Sequence, residues 1–210
     1  MPGSMSQADL VQDLQKMLGT AAAKIESEDD SAYLMHLEIA AFAFAKYRPR
    51  TKVGTVTLVA DQENYLVTET DFIRIKTPIW GLNERRSRKQ YSSNWPGTMP
   101  TVSVIEATAG MELYLSPAPT AAQIADLGSS YKYFYYAAHT VDADKTKTTI
   151  KAHDRTLFLI RAVSAALSEL ATSGSMSPVI LGDGVGSMAK NGTPAALAEA
   201  SLKLFERMAA

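Results

Sequence analysis

Apolar residues recur at helical spacing over the first 47 positions, and then the period changes. Leu10, Leu14, Met17, Leu18, Ala21 and Ile25 fall at i, i+4, i+7 and i+8, the stripe of an amphipathic helix. Ser6 is placed to cap that helix, with Asp9 three residues on to complete a capping box. Acidic Glu26–Asp30 breaks the pattern and supplies Asp29, Asp30 or Ser31 as the next cap. A second helix is predicted to about Tyr47, with Tyr33, Leu37, Ala40, Ala41 and Phe44 as its main stripe. Leu34, Ile39 and Phe42 widen the stripe, which predicts contacts on more than one side.

Pro49 ends the helix near Arg48, because proline lacks an N–H and disfavours helical geometry in the residue before it. From Thr51 the pattern alternates. Val53, Thr55, Thr57 and Val59 lie on one side, and Lys52, Gly54, Val56, Leu58 and Ala60 on the other. Asp61–Asn64 is turn chemistry, and Tyr65–Thr68 is expected to return as the partner strand of a hairpin. Phe72, Ile73 and Ile75 predict a third strand that Pro78 limits. Asn83–Gln90 reads as a polar, basic loop. Thr101–Thr108 alternates, Gly110 offers a turn, and Met111–Leu115 returns until Pro117 and Pro119 stop it. Thr120 caps a short helix through Leu127, Gly128 stands where a terminating glycine belongs, and Tyr131–Ala138 is a strand.

Helical spacing then resumes. Asp154 is the expected cap of Arg155–Thr172, whose interior holds no glycine or proline. Ser173–Gly192, with Pro178, Gly182, Gly184, Gly186 and Gly192, reads as a loop in which Val179–Leu181 is a short extended piece. It is expected to be mobile in an isolated subunit and ordered on assembly. Thr193 and Pro194 start a last helix striped by Leu197, Ala200, Leu204 and Met208. The fold class is therefore α+β. Residues 6–48 and 152–210 form a helical bundle, and residues 49–151 form a β-rich insertion built of antiparallel hairpins.

Composition narrows the function classes. A net charge of −1 and a pI near 6.3 give no support for a surface that binds nucleic acid throughout. With no cysteine there is no disulfide, thiolate metal site or cysteine nucleophile. No apolar run approaches the roughly 20 residues that span a bilayer, so no membrane partner is expected. Met1–Met5 lacks the features of a signal peptide.

Motifs that carry chemistry are missing. There is no G-x-S-x-G, no H-E-x-x-H and no carboxylate-rich helix. His36, His139 and His153 are far apart in sequence and read as solvated or capping residues in preference to metal ligands. Gly182-Asp183-Gly184-Val185-Gly186-Ser187 lacks the lysine of a phosphate loop and does not open its helix, so a flexible loop is the better reading. No catalytic, cofactor or metal residue is assigned. The distinctive cluster is basic: Arg85, Arg86, Arg88 and Lys89, with Tyr91 and Trp95 nearby as aromatic anchors. Met176, Val179, Ile180, Leu181 and Met188 are unusually apolar for a loop and form a second candidate interface.

Several stretches resemble a known family. Tyr47-Arg48-Pro49-Arg50 closes a helix, and Tyr65-Leu66-Val67-Thr68-Glu69-Thr70-Asp71-Phe72-Ile73-Arg74-Ile75 follows. Leu113-Tyr114-Leu115-Ser116-Pro117-Ala118-Pro119 precedes Tyr131-Lys132-Tyr133-Phe134-Tyr135-Tyr136-Ala137-Ala138-His139, and an alanine-rich helix holds Asp154, Leu157, Leu159, Ala162, Ala165, Ala166, Leu167 and Leu170. Over roughly residues 30 to 172 this is similar to the head-to-tail connectors, or adaptors, of the tailed-bacteriophage neck. The resemblance implies a non-enzymatic virion protein assembled in the bacterial cytoplasm. It implies a homo-oligomeric ring, a dodecamer by the family's habit, bridging portal protein and tail or nozzle protein. DNA would pass through the channel with non-specific contact. A tail-completion or capsid-decorating protein is the near alternative. A motif-less small-molecule-binding domain or enzyme is the alternative of another class.

Overall fold

The structure is a computed structural model that describes residues 5–25, 30–90, 95–183 and 191–210. The chain divides into two compact units, one of Met1–Pro49 with Ala138–Ala210, the other of Arg50–Ala137. The fold is α+β, with helices and antiparallel sheets.

The first unit is helical. Helix α1 (Gln7–Leu18) begins at the capping box: the Asp9 N–H donates to Ser6 Oγ at 3.2 Å and the Ser6 N–H to Asp9 Oδ2 at 2.9 Å. A 3-10 helix (Gly19–Lys24) continues it. Helix α2 (Ser31–Tyr47) buries Tyr33, Leu37, Ala40, Ala41 and Phe44. Two later helices of this unit, Arg155–Thr172 and Pro194–Ala209, pack against each other, and the first of them also packs on α1 and α2. The apolar stripes, which no single helix could bury, thus meet in one core holding Leu10, Leu14, Leu37, Phe44, Phe158 and Phe205.

The second unit carries the strands. Strand β1 (Arg50–Thr57) pairs antiparallel with β6 (Ser130–Ala137), and β6 also pairs with β3 (Phe72–Pro78), giving the order β1-β6-β3. A second sheet has the order β2-β5-β4, from β2 (Asn64–Leu66), β4 (Thr101–Ala107) and β5 (Gly110–Ser116). Helix α3 (Leu82–Ser87) and helix α4 (Ala121–Leu127) complete the unit. In chain order the helix Arg155–Thr172 is α5 and Pro194–Ala209 is α6, with two-residue strands β7 (Val179–Ile180) and β8 (Asn191–Gly192) between them.

Four expectations are corrected. The hairpin of Thr51–Ala60 with Tyr65–Thr68 does not form: β1 pairs with β6 and β2 with β5. Tyr65 explains the parting, because its hydroxyl donates within the intervening turn, 3.0 Å from the carbonyls of Val59 and Gln62, and fixes it as a crossing between sheets. The chain rejoins the helical unit at Ala138, not at residue 152. His139 Nε2 donates to the Arg48 carbonyl at 2.8 Å and Ile150 is buried in the helical core, so this segment belongs there. Asp154 does not cap α5 with its side chain; its carboxylate pairs with Arg48 instead. The predicted loop at Asn83–Gln90 contains α3.

Candidate interaction surfaces

Helix α3 is positioned by the residues just before it. Trp80 is buried beside Tyr131, with ring centroids 5.8 Å apart, and its indole N–H donates to the Gly128 carbonyl at 2.9 Å. Gly81 then turns the chain at φ 63°. A Cβ there would lie 2.7 Å from Met99 Cε and 2.8 Å from Leu127 Cδ1, side-chain tips that can move aside, so it is the positive φ that calls for glycine. The basic residues follow on a helix that buries none of its own side chains.

The four cations are not equivalent. Arg88 donates to the Asp126 carboxylate on α4, a charge-assisted bond within the unit. A carboxylate 38 positions away in sequence thus already engages Arg88 within the chain. The Arg85 guanidinium lies over the Trp95 ring, 5.4 Å from its centroid. Arg86 and Lys89 are exposed. Tyr91 lies outside the described residues. The cluster thus reduces to a short exposed helix with Arg85 braced by an aromatic ring. A cleft of about 380 Å³ opens beside Arg85, walled by Trp80, Met99, Pro100 and Tyr131. A second cleft of about 550 Å³ is lined by Trp95, Gln123 and Asp126. Tyr131 is fully buried and its hydroxyl has no hydrogen-bond partner among the described residues; burial pushes its pKa upward, so it stays neutral.

The second candidate, Met176 to Met188, splits by burial. Val179 and Leu181 are core residues of the helical unit, whereas Met176 is 84% and Ile180 55% exposed. Met188 lies outside the described residues. Within the stretch expected to be mobile, backbone groups at 180 and 182 are hydrogen-bonded to the helical unit. The Ile180 N–H donates to Thr20 Oγ1 at 2.8 Å and the Gly182 N–H to the Met17 carbonyl at 2.9 Å. A Cβ at Gly182 would sit 1.9 Å from the Lys16 carbonyl oxygen. Gly182 is therefore a packing device against the end of α1.

A third surface was only half legible. Met35, Ile39 and Phe42 stand at i, i+4 and i+7 on α2 and are 45%, 39% and 82% exposed. The wide stripe of this helix is buried on one side and, within the chain, open on the other. The excess of apolar residues on α2 was the signal.

The histidines have local roles. His139 bonds to Arg48 and Thr149, and His153 lies 3.4 Å from Asp154. His36 is 1% exposed, with Nε2 3.1 Å from Glu169 Oε2 but not aligned for a hydrogen bond. Burial lowers its pKa and Glu169 opposes this only in part. Among the described residues no group of three His, Cys, Asp or Glu could hold a metal ion, and no helix is long and apolar enough to cross a membrane. No protein-family model matches the chain, and no curated protein matches it.

Proposed function

We propose that the protein is a structural subunit that assembles with copies of itself into a ring, acting as the head-to-tail connector of a tailed-bacteriophage neck. The observation that carries the self-association is the uncovered apolar face of α2. Met35, Ile39 and Phe42 form a contiguous row on a rigid helix, and Phe42 leaves 82% of its surface in water. Large exposed apolar patches mark interaction sites on otherwise well-buried proteins. A neighbouring copy would cover this row, and rotation around a ring would repeat the contact. The connector role itself is supported by the sequence resemblance and by a helical unit interrupted by a β-rich one. In this reading Arg85 and Arg86 on α3 meet carboxylates of an adjoining ring, where many weak copies of one contact sum by avidity.

Mass photometry and negative-stain imaging of the purified chain test the reading. Rings are expected for the wild type, and Phe42→Glu with Ile39→Glu is expected to give folded monomers of unchanged melting temperature. A wild type that stays monomeric at high concentration, or rings that persist in the double variant, would refute it.

A further inference from the structure

The outer face of the β1-β6-β3 sheet is a surface of a different kind, and its residues are scattered in sequence. Strand β6 alternates: Tyr131, Tyr133, Tyr135 and Ala137 are buried, and Lys132, Phe134 and Tyr136 point the other way. Register carries that outer face across the sheet. Thr51, Val53 and Thr55 of β1 stand opposite Tyr136, Phe134 and Lys132. On the other side Arg74 stands opposite Tyr136, and Thr77 opposite Phe134. A register shift between Ile75 and Thr77 brings Lys76 onto the same face. Its ammonium lies 5.3 Å from the Tyr136 ring centroid and donates to Thr51 Oγ1 at 3.3 Å. The Arg74 guanidinium lies 4.9 Å from the same centroid.

Charge on this face has one sign. Arg74, Lys76 and Lys132 are exposed, and among the described residues none of the three makes an ion pair. The carboxylates nearest in sequence, Glu69 and Asp71, turn to the opposite face, where they accept hydrogen bonds from Tyr133 and Tyr135 at 3.0 Å. The inner face is therefore neutralised and the outer one is left positive. Between the cations stand threonine hydroxyls and the flat rings of Phe134 and Tyr136.

We propose that this sheet face binds the phosphate backbone of nucleic acid without regard to sequence. The ring of Tyr136 holds two cations in place before any ligand arrives, which lowers the entropy lost on binding. From Tyr136 to Lys132 is four residues of strand, roughly 14 Å, a span that covers several phosphates of one nucleic-acid strand. Thr51 and Thr55 add hydroxyl donors suited to phosphate oxygens. The near-neutral chain as a whole hides the feature, because it arises only where two strands distant in sequence are laid side by side. The inference rests on the face itself and does not require the ring reading.

Fluorescence anisotropy of the full chain with a labelled mixed-sequence 20-base-pair duplex tests it. At 50 mM salt the wild type is expected to bind, and to weaken at least tenfold by 200 mM. The triple variant Arg74→Ala, Lys76→Ala, Lys132→Ala is expected to bind at least tenfold more weakly. Its slope of log affinity against log salt should be shallower by about 2–3, the value for three lost phosphate contacts. The conservative set Arg74→Lys, Lys76→Arg, Lys132→Arg should restore binding, and unchanged melting curves show that each variant is folded. No binding by the wild type at 50 mM salt overturns the proposal, as does a triple variant within twofold of it. Polyglutamate of equal charge competing as well as unlabelled duplex would assign the face to an acidic protein and would also overturn it.

Discussion

Arg48 and Asp154 form an ion pair between the end of α2 and the start of α5, 106 positions apart in sequence. The Asp154 side chain is only 8% exposed, and the second guanidinium nitrogen of Arg48 donates to the Met208 carbonyl at 3.2 Å. Arg48 also offers its own carbonyl to His139. One residue thus binds the point where the chain leaves the helical unit to the segment by which it returns. The effect is to hold α2, α5 and α6 together where a long insertion would let them drift.

The two halves of this pair should not be equally costly to lose. Arg48→Met strands a buried carboxylate whose other ion-pair partner among the described residues is the exposed His153, whereas Asp154→Asn leaves an arginine that is 41% exposed and open to water. Arg48→Met is expected to cost about 1.5–3 kcal/mol and Asp154→Asn less. Urea denaturation of both variants checks the order, and the reverse order would show that the carboxylate is not desolvated.

Gly54 lies directly opposite Tyr133 in the β1–β6 pair, and a Cβ there would be 2.4 Å from Tyr133 Cζ. The tyrosine ring occupies the space a side chain would need. Gly54→Ala is expected to destabilise by about 1–3 kcal/mol or more through overpacking. Adding Tyr133→Leu should recover part of that loss, and a double-mutant cycle measures the coupling. Strictly additive effects would contradict the contact.

Gly182→Ala should release the segment 177–182 from the end of α1, because no side-chain rotation can relieve a clash with the Lys16 carbonyl. In the wild-type monomer, slow hydrogen exchange is expected at the Ile180 and Gly182 amides, both of which are bonded. In the variant both should exchange quickly. Fast exchange at Gly182 in the wild type would refute the docking.

His36 makes stability depend on pH. Its folded pKa lies below the ordinary value of 6.5, so the unfolded chain binds the proton more readily. Stability should be full above about pH 6.5 and decline as pH falls from there toward the lowered folded pKa. His36→Gln should flatten that decline. Thermal melts at intervals from pH 7.5 to 5 compare the two, and identical slopes would mean that His36 does not govern this window.

Local elements were legible in the sequence because they are decided by near neighbours. The capping box at Ser6, the cap at Thr120, the stop at Gly128, the start at Thr193-Pro194 and the hairpin turned at Gly110 each depend on residues within a few positions. The buried stripe of α2 was equally plain, since 3.6-residue periodicity needs no partner to be seen. Partners are another matter. Alternation marks β1 and β2 as strands but cannot say which strand each will pair with, and the aromatic strand β6 took β1 across more than seventy residues. The same limit governed the candidate surfaces. A run such as Arg85-Arg86-Ser87-Arg88 displays its charge in sequence, yet Asp126 neutralises Arg88 from a distant helix. The uniform positive face of Arg74, Lys76 and Lys132 appears only when strand register stacks residues from β3 and β6. Sequence by itself determined where helices and strands begin and which sides of them are apolar, because those are short-range properties of backbone and periodicity. Tertiary structure alone decided which charges are paired, which glycines are filled by a neighbour and which apolar rows stay open, because each of these depends on groups that the chain brings together only by folding.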